Sequence, residues 1–566
     1  MTRRSAISSH HRIWNHHLWS CIVVLLIALG VLFRVVNLTQ PVYWVDEVAT
    51  SMRVSGYTQA EVEAQVATGE PLTISDLQKF QTIRSDRPIT DSLRVLSQSP
   101  EHAPLYFVLA RFWAELFGSS VSAMRSLPVV FSLLSLPAMY ALCCSLFQFS
   151  NSSNSSSKGK NAIALLAISP FFVAYAQEAR PYSLWVLLLL LTHLFLWRSL
   201  QLSRWQDWLA YSLSLILCLY TSLLTVLIVL GNSLAIACLQ FKRYKEQKIP
   251  YLLATFTALL ALSPWLWVVI TRWQTLQDNT IWMQVPTTIW AILGTWFYSL
   301  AVLFFDVPVS SEPLIFLLQV IAATATLGFM GYAIYFFIRR AARPAVVLVL
   351  SASLSVPMML LLLDLVRDGQ ASATPRYLMP VHIGILIALA FLISDSPNSF
   401  GDAARTERLR QRLMHPSRRW RSFIALFLSV GLLSCLIGIH KDSPYQKSRN
   451  LSNADIVEIV NQAESPQLVT TAYYIQDTIS LSYQLNSDTL IYIFPDDLAE
   501  GDSSKKRLRQ RLKEQLSNIL SSNQPTFIFS PTEELKLASQ SATLEQVFQP
   551  QPLISGGYGL TLWRAD

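Results

Sequence analysis

Four short segments carry the residue types that could do chemistry. The first is Val42-Tyr43-Trp44-Val45-Asp46-Glu47, two adjacent carboxylates behind an aromatic anchor, just past the first long apolar run. Ionisable groups so close to hydrocarbon need a partner, a metal or a catalytic duty. A carboxylate there can act as general base toward an attacking hydroxyl. The second, Ser169-Pro170 through Gln177-Glu178-Ala179-Arg180, offers a carboxylate and an arginine suited to phosphate oxygens. The third, Glu101-His102-Ala103-Pro104-Leu105-Tyr106, brings a histidine able to bind an anion or a metal. The fourth, Thr374-Pro375-Arg376-Tyr377-Leu378-Met379-Pro380, brings a second arginine. Taken singly, each has an ordinary reading: an interfacial acidic pair, a helix-capping ion pair, a structural histidine, a snorkelling arginine.

The elements that must position these residues are membrane helices. Of 566 residues, 52% are hydrophobic and only 14% charged, with mean hydropathy +0.37. Soluble proteins carry roughly 25% charge. The apolar runs approach the ~20 residues that a helix needs to cross a bilayer. They lack the in-out alternation of barrel strands. A soluble enzyme, a disordered chain and an outer-membrane barrel are thereby excluded. Candidate spans fall at 19–36, 126–147, 161–176, 182–197, 207–224, 225–240, 250–270, 313–338, 344–365, 377–394 and 422–440, eleven in all. Residues 103–117 and 288–304 are read as helices lying in the outer interface.

Positive charge tests the threading. Arg3, Arg4 and Arg12 precede the first span and place the N-terminus, residues 1–18, inside. Alternation then puts Lys158 and Lys160, Arg198 and Arg204, Lys242 to Lys248, Arg339 to Arg343 and Arg405–Arg421 inside as well. The first outer loop, 37–125, and the tail from 441 fall outside. The expected fold class is thus a polytopic α-helical membrane protein of about eleven spans, residues 19–440, in the cell's inner (plasma) membrane. The tail, 441–566, reads as a small extracytoplasmic α/β domain, with β-rich runs at Gln467–Thr471, Leu490–Phe494, Thr526–Ser530 and Tyr558–Trp563. The N-terminal apolar run has no A-x-A-like cleavage site after it and is read as a retained helix. The tract at 151–157 reads as a flexible cytoplasmic loop.

Net charge +8 follows from the basic inner loops and implies no nucleic-acid partner. The six cysteines, Cys21, Cys143, Cys144, Cys218, Cys238 and Cys435, lie in or beside apolar runs and show no metal or disulfide spacing.

This threading puts all four chemical segments on one side. Their separate ordinary readings do not require that. An outward cavity lined by carboxylates and arginines at lipid depth suits a sugar carried on polyprenyl phosphate. Such a donor needs a base for the acceptor hydroxyl, cations for the departing phosphate and a groove for the chain. A single displacement inverts the anomeric centre. Asp46 and Glu178 are expected to face each other across this pocket. A divalent cation suits several carboxylates but is not required, because arginines can carry the phosphate charge. The acceptor is a lipid, a glycan or a protein, and membrane lipids are the remaining partners. A transporter or flippase of a lipid-linked or anionic substrate is the alternative, but an inverted repeat is not evident. A non-catalytic scaffold is a third reading.

The acidic pair after the first span resembles the first-loop motif of the GT-C superfamily of integral-membrane glycosyltransferases. The branch it resembles is the protein O-mannosyltransferase/aminoarabinose-transferase, or family 39-like, type. EHAPLYFVLARFWAELFGSSVSAMRSLPVVFSLL, SPFFVAYAQEARPYSL and PRYLMP are similar to that branch's blocks and occur in its order, over roughly residues 20–390. The resemblance implies an acid/base role for Asp46 with Glu47 beside it, and a supporting acidic site at Glu178. It implies phosphate-side roles for Arg180 and Arg376. The same blocks place His102, Tyr106, Gln177 and Tyr377 among the substrate-binding residues. Two departures stand out: Ala103 replaces a proline, and Ser222 follows Tyr220-Thr221 where many relatives have histidine.

Overall fold

In hydrocarbon a backbone must satisfy its own N–H and C=O groups, so the long apolar runs become helices. The computed structural model describes residues 3–148, 155–239, 242–310, 312–394, 418–441, 445–496, 506–539, 542–550 and 559–565. Arg405–Arg421 up to residue 417, and positions 151–154 of the Asn/Ser tract, lie outside the described residues. Among the described residues, six helices are long and apolar enough to cross a membrane: Leu18–Val35, Val121–Gln148, Tyr182–Leu202, Pro313–Arg340, Arg343–Arg367 and Pro375–Ser394. Two bent pairs, Ser155–Ala167 with Pro170–Ala176 (63°) and Tyr244–Ala261 with Ser263–Thr271 (50°), make eight if each is one span. Both bends fall at a Ser-Pro step, Ser169-Pro170 and Ser263-Pro264, where proline removes a helical donor.

The chain is therefore an integral membrane protein, with six to eight candidate spans among the described residues where eleven were expected. Among the described residues 207–224 and 225–240 carry short helices, Trp205–Leu219 (15 residues) and Thr225–Cys238 (14 residues), while 422–440 carries Arg418–Gly438 (21 residues). Fifteen residues rise only about 22 Å against a ~30 Å hydrocarbon core. Leu105–Phe117 and Ile289–Ala301, expected to be interfacial, are helices of 13 residues each.

The residues divide into two compact units. The helical unit holds Met1–Val36, Ser99–Leu105 and Pro128–His440. Its first span ends on a buried cation. Arg34 is 0% exposed and donates from Nε to Ser132 Oγ (2.9 Å), and from its Nη atoms to Gly30 O (2.7 Å), Ala167 O (2.6 Å) and Leu166 O (2.9 Å). Leu166 and Ala167 close the helix that stops at Ser169-Pro170, so Arg34 satisfies carbonyls that the bend would otherwise orphan. Gly30 permits this approach, since a Cβ there would overlap the Ala167 carbonyl.

The second unit holds Asn37–Gln98, Tyr106–Leu127 and Lys441–Asp566, so most of the segment after the first span folds together with the tail. Among the described residues its strands are β1 (Pro71–Leu72), β2 (Gln467–Thr471), β3 (Leu490–Phe494), β4 (Thr526–Phe529), β5 (Leu544–Phe548) and β6 (Leu562–Ala565). They form one sheet in the order β1-β3-β2-β4-β6-β5. The central strands β3, β2 and β4 run parallel, and every residue of β2 and β4 is buried, as a sheet covered on both faces requires. Val469, Phe494, Leu512, Leu516 and Ile528 form its core. β1 comes from the first loop and pairs antiparallel with β3, Pro71 opposite Tyr492.

A capping box starts the Gln59–Val66 helix. Glu61 accepts from Thr58 N (2.9 Å), and its other oxygen accepts from Arg94 (3.1 Å) and Arg87 (3.4 Å). Partial burial would raise the Glu61 carboxyl. The Thr58 backbone N–H, the Arg94 guanidinium and the Thr58 hydroxyl outweigh it and bring the carboxyl from 4.5 down to about 2. A lowered folded pKa stabilises above the unfolded value and loses that contribution as pH falls through the folded one. Glu61→Gln is thus expected to lower the unfolding temperature at neutral pH, with the deficit shrinking as pH falls from 4.5 toward 2. Thermal unfolding in detergent across that range checks it; a pH-independent deficit would contradict the assignment.

Candidate active site

The acidic pair opens the Val45–Ser55 helix, where negative charge is favoured by the helix dipole. Trp44, at the N-cap, provides no side-chain cap. Asn450 takes that place, its Oδ1 accepting from Val45 N at 3.0 Å. Consecutive helical residues point about 100° apart, so Asp46 and Glu47 meet different surroundings. Glu47 is 0% exposed, while Asp46 is only half-buried.

Arg125 grips Glu47 with a fork, Nε to Oε1 at 2.8 Å and Nη2 to Oε2 at 2.7 Å. Its remaining N–H groups go to the carbonyls of Leu38 (2.7 Å), Pro41 (2.8 Å) and Val42 (2.8 Å), which uses all five donors. Lys447 adds a second cation, Nζ standing 2.7 Å from both Glu47 Oε2 and Val42 O. Tyr43 hydrogen-bonds Ser51 and meets the Tyr483 ring edge-on, and burial pushes its phenol well up. Glu47, expected beside Asp46 in catalysis, instead braces the first loop. Its carboxylate is enclosed by two cations, which leaves Asp46 as the less buried member of the pair. Tyr106, expected to bind substrate, is fully buried in this same unit against Phe107.

In the helical unit, the Pro170–Ala176 helix delivers Gln177, Glu178 and Arg180 to the turn before Tyr182–Leu202. Gln177 was expected to bind substrate. Its amide nitrogen donates to Phe33 O and Val36 O, both 2.8 Å, and so closes the end of the first span. Glu178 is 0% exposed, and its carbonyl accepts from Arg180 N at 2.7 Å. The Arg180 guanidinium lies 5.7 Å from the Tyr182 ring, and that of Arg376 lies 5.9 Å from the same ring. Arg376 also stands 5.8 Å from Trp282 and 5.8 Å from Tyr377. Two cations thus gather on one tyrosine within an aromatic cage, inside the ~6 Å reach of cation–π attraction.

The Arg376 loop is braced. Asp364 accepts from Ala371 N and Ser372 N, both 2.7 Å, and Trp296 donates to Ser372 O at 2.8 Å. Gln370 donates from its backbone to Met283 O (2.8 Å) and from its side chain to Trp282 O (2.9 Å). Gly369 allows that contact, since a Cβ would lie 2.6 Å from Met283 O. His102 stands 3.5 Å from Glu101, which accepts twice from Asn279 at 3.1 Å. Leu105 N donates to Tyr220 O (2.9 Å), tying the EHAPLY block to the Tyr220-Thr221-Ser222 turn.

The helical unit therefore brings Arg180, Arg376 and Tyr377 together, with Glu178 two residues from Arg180. Asp46, Glu47 and Tyr106 belong to the other unit. Among the described residues no group of three or more His, Cys, Asp or Glu side chains is placed to hold a metal ion. Sequence reasoning missed Arg125, although it lies inside the quoted block. It also missed Arg34, Tyr182 and Trp282. Lys447 and Asn450 carried no signal.

Together these features define a polytopic helical membrane protein with a mixed α/β unit. Residues 101–268 match the family described as dolichyl-phosphate-mannose-protein mannosyltransferase, which bears out the resemblance drawn from the sequence blocks over that span. No curated protein matches the chain. Among solved structures, ArnT from Cupriavidus metallidurans in the apo state is similar, with 13% identity, TM-score 0.49, and 97% of this chain and 98% of that one covered. ArnT bound to undecaprenyl phosphate gives 14% identity, TM-score 0.48, and coverage of 96% and 98%. The oligosaccharyltransferase AglB from Archaeoglobus fulgidus, in complex with an inhibitory peptide and a dolichol-phosphate, gives 10% identity, TM-score 0.45, and coverage of 97% and 74%.

Proposed function

We propose that this protein is a membrane glycosyltransferase that moves a sugar from a polyprenyl-phosphate donor to an acceptor hydroxyl on the extracytoplasmic side, with inversion. The observation that carries the reading is the pair of guanidinium groups, Arg180 and Arg376, held on the Tyr182 ring within a unit that contains most of the family match. Two clustered arginines suit the oxygens of a phosphate better than any neutral ligand.

In the proposed reaction the acceptor oxygen attacks the anomeric carbon, and Asp46 takes its proton. The bond from that carbon to the phosphate oxygen breaks, and the phosphate leaves with the electron pair. Arg180 and Arg376 meet the charge that grows on it. Attack from the face opposite the leaving group inverts the anomeric centre. Glu178 supports the site as a second acid. The orientation that goes with this reading has the N-terminus inside the inner (plasma) membrane and the tail outside. A reporter fused after Lys441 is expected to be active only on the outer side; cytoplasmic activity would contradict that orientation.

Arg376→Ala is expected to cut kcat/KM for the donor by about 10²-fold, as loss of one charge-stabilising donor does elsewhere. Kinetics with lipid-linked donor check it, and an unchanged kcat/KM would remove Arg376 from the phosphate side. The reading as a whole is tested by mass spectrometry of surface glycans and glycolipids in a deletion strain. One species is expected to lose one sugar and to regain it with the wild-type gene. An unaltered profile would overturn the proposal.

A further inference from the structure

We infer that the segment Tyr445–Asn450, which precedes the tail's sheet, positions the helix that carries Asp46, through Lys447 and Asn450. The inference rests on the reading of Asp46 as the proton acceptor and gives the tail a part in that step.

Three contacts carry it. Asn450 Oδ1 accepts from Val45 N, the first N–H of the helix, which its own N-cap residue leaves to others. Lys447 bridges Val42 O and Glu47 Oε2 with a single ammonium, both at 2.7 Å. Asp46 lies between those two gripped points, next to the capped residue, so its helix cannot tilt without breaking one of these bonds. The clamp is itself anchored. Asn450 Nδ2 donates to Asn453 Oδ1 (3.3 Å) and Asp477 Oδ1 (3.2 Å). Asp477, 0% exposed on the Ile475–Ser482 helix that follows β2, takes a fork from Arg449 at 2.9 and 2.7 Å. This chain of bonds runs from the helix that follows β2 to the first turn of the acidic helix. Lys447 is 1% exposed, so it is a built-in brace and not a surface charge. Misplacing a reacting group by about 1 Å can cost ~10²-fold in rate.

The test uses the full-length protein in isolated membranes. The probe is the radiolabelled lipid extract of the deletion strain, in which unused donor accumulates. Lys447→Met and Asn450→Ala are expected to lower kcat for sugar transfer by about 10²-fold. Retention of undecaprenyl phosphate, a probe of the phosphate side alone, is expected to stay unchanged. In an Asp46→Asn background neither substitution is expected to lower the residual rate further, because both act through Asp46. If Lys447→Met fails to accumulate, Asn450→Ala, which leaves both cations on Glu47, carries the same measurements. Wild-type kcat in the clamp variants alongside an inactive Asp46→Asn would overturn the positioning role alone. So would a further full loss in the Asp46→Asn background. Wild-type transfer by Asp46→Asn itself would instead overturn the functional reading.

Discussion

Asp46→Asn is expected to give a folded, membrane-inserted protein whose sugar transfer is slower by about 10²–10⁴-fold, the contribution of a positioned general base. The substitution keeps side-chain shape and removes the negative charge together with the capacity to take a proton. The Asp46 backbone carbonyl, which the substitution leaves in place, accepts from Thr50 Oγ1 at 2.8 Å. Capping by Asn450 and the ion pairs of Glu47 involve other atoms. Transfer rate and thermal unfolding, measured on the same preparation, decide the matter. A variant with normal transfer would remove Asp46 from the chemistry, and one that unfolds would make it structural.

The neighbouring residue should behave in the opposite way. Glu47→Ala is expected to destabilise the second unit by about 3–5 kcal/mol, because removing one member of a buried ion pair leaves uncompensated charge. Two cations would be stranded here, Arg125 and Lys447, at 0% and 1% exposure. Arg125 also holds the carbonyls of Leu38, Pro41 and Val42, so the loop leading to Asp46 loses its order with it. The expected readout is a marked fall in unfolding temperature and in the amount of protein that survives detergent extraction. A Glu47→Ala protein as stable as wild type but devoid of activity would restore Glu47 to a chemical role.

That two adjacent carboxylates should differ so sharply was not legible in the sequence. The acidic pair was visible, and so was its place after the first span. Its division of labour depends on Lys447, 400 positions away, and on Arg125, 78 positions away. No local pattern reports such partners. Gln177 is a similar case. Its place in the matched block suggested ligand contact, whereas its amide closes the end of the first span. Strands that bury both faces were readable as short β-rich runs: β2 and β3 fall on the expected residues. β5, with two exposed residues, and the two-residue β1 had no such signal. Hydropathy marked the segments 161–176 and 250–270 but not the bend that each makes at a Ser-Pro step, because it registers apolar length and not the break within it.

The most direct test of the central claim is made on purified protein in liposomes. It is given the lipid-linked donor and the acceptor that the deletion strain identifies, and sugar and lipid products are followed together. Each sugar that reaches the acceptor hydroxyl is expected to release one polyprenyl phosphate and to arrive with inverted anomeric configuration. Sugar that remains on its lipid in the presence of acceptor, while the intact lipid-linked donor crosses the bilayer, would contradict it.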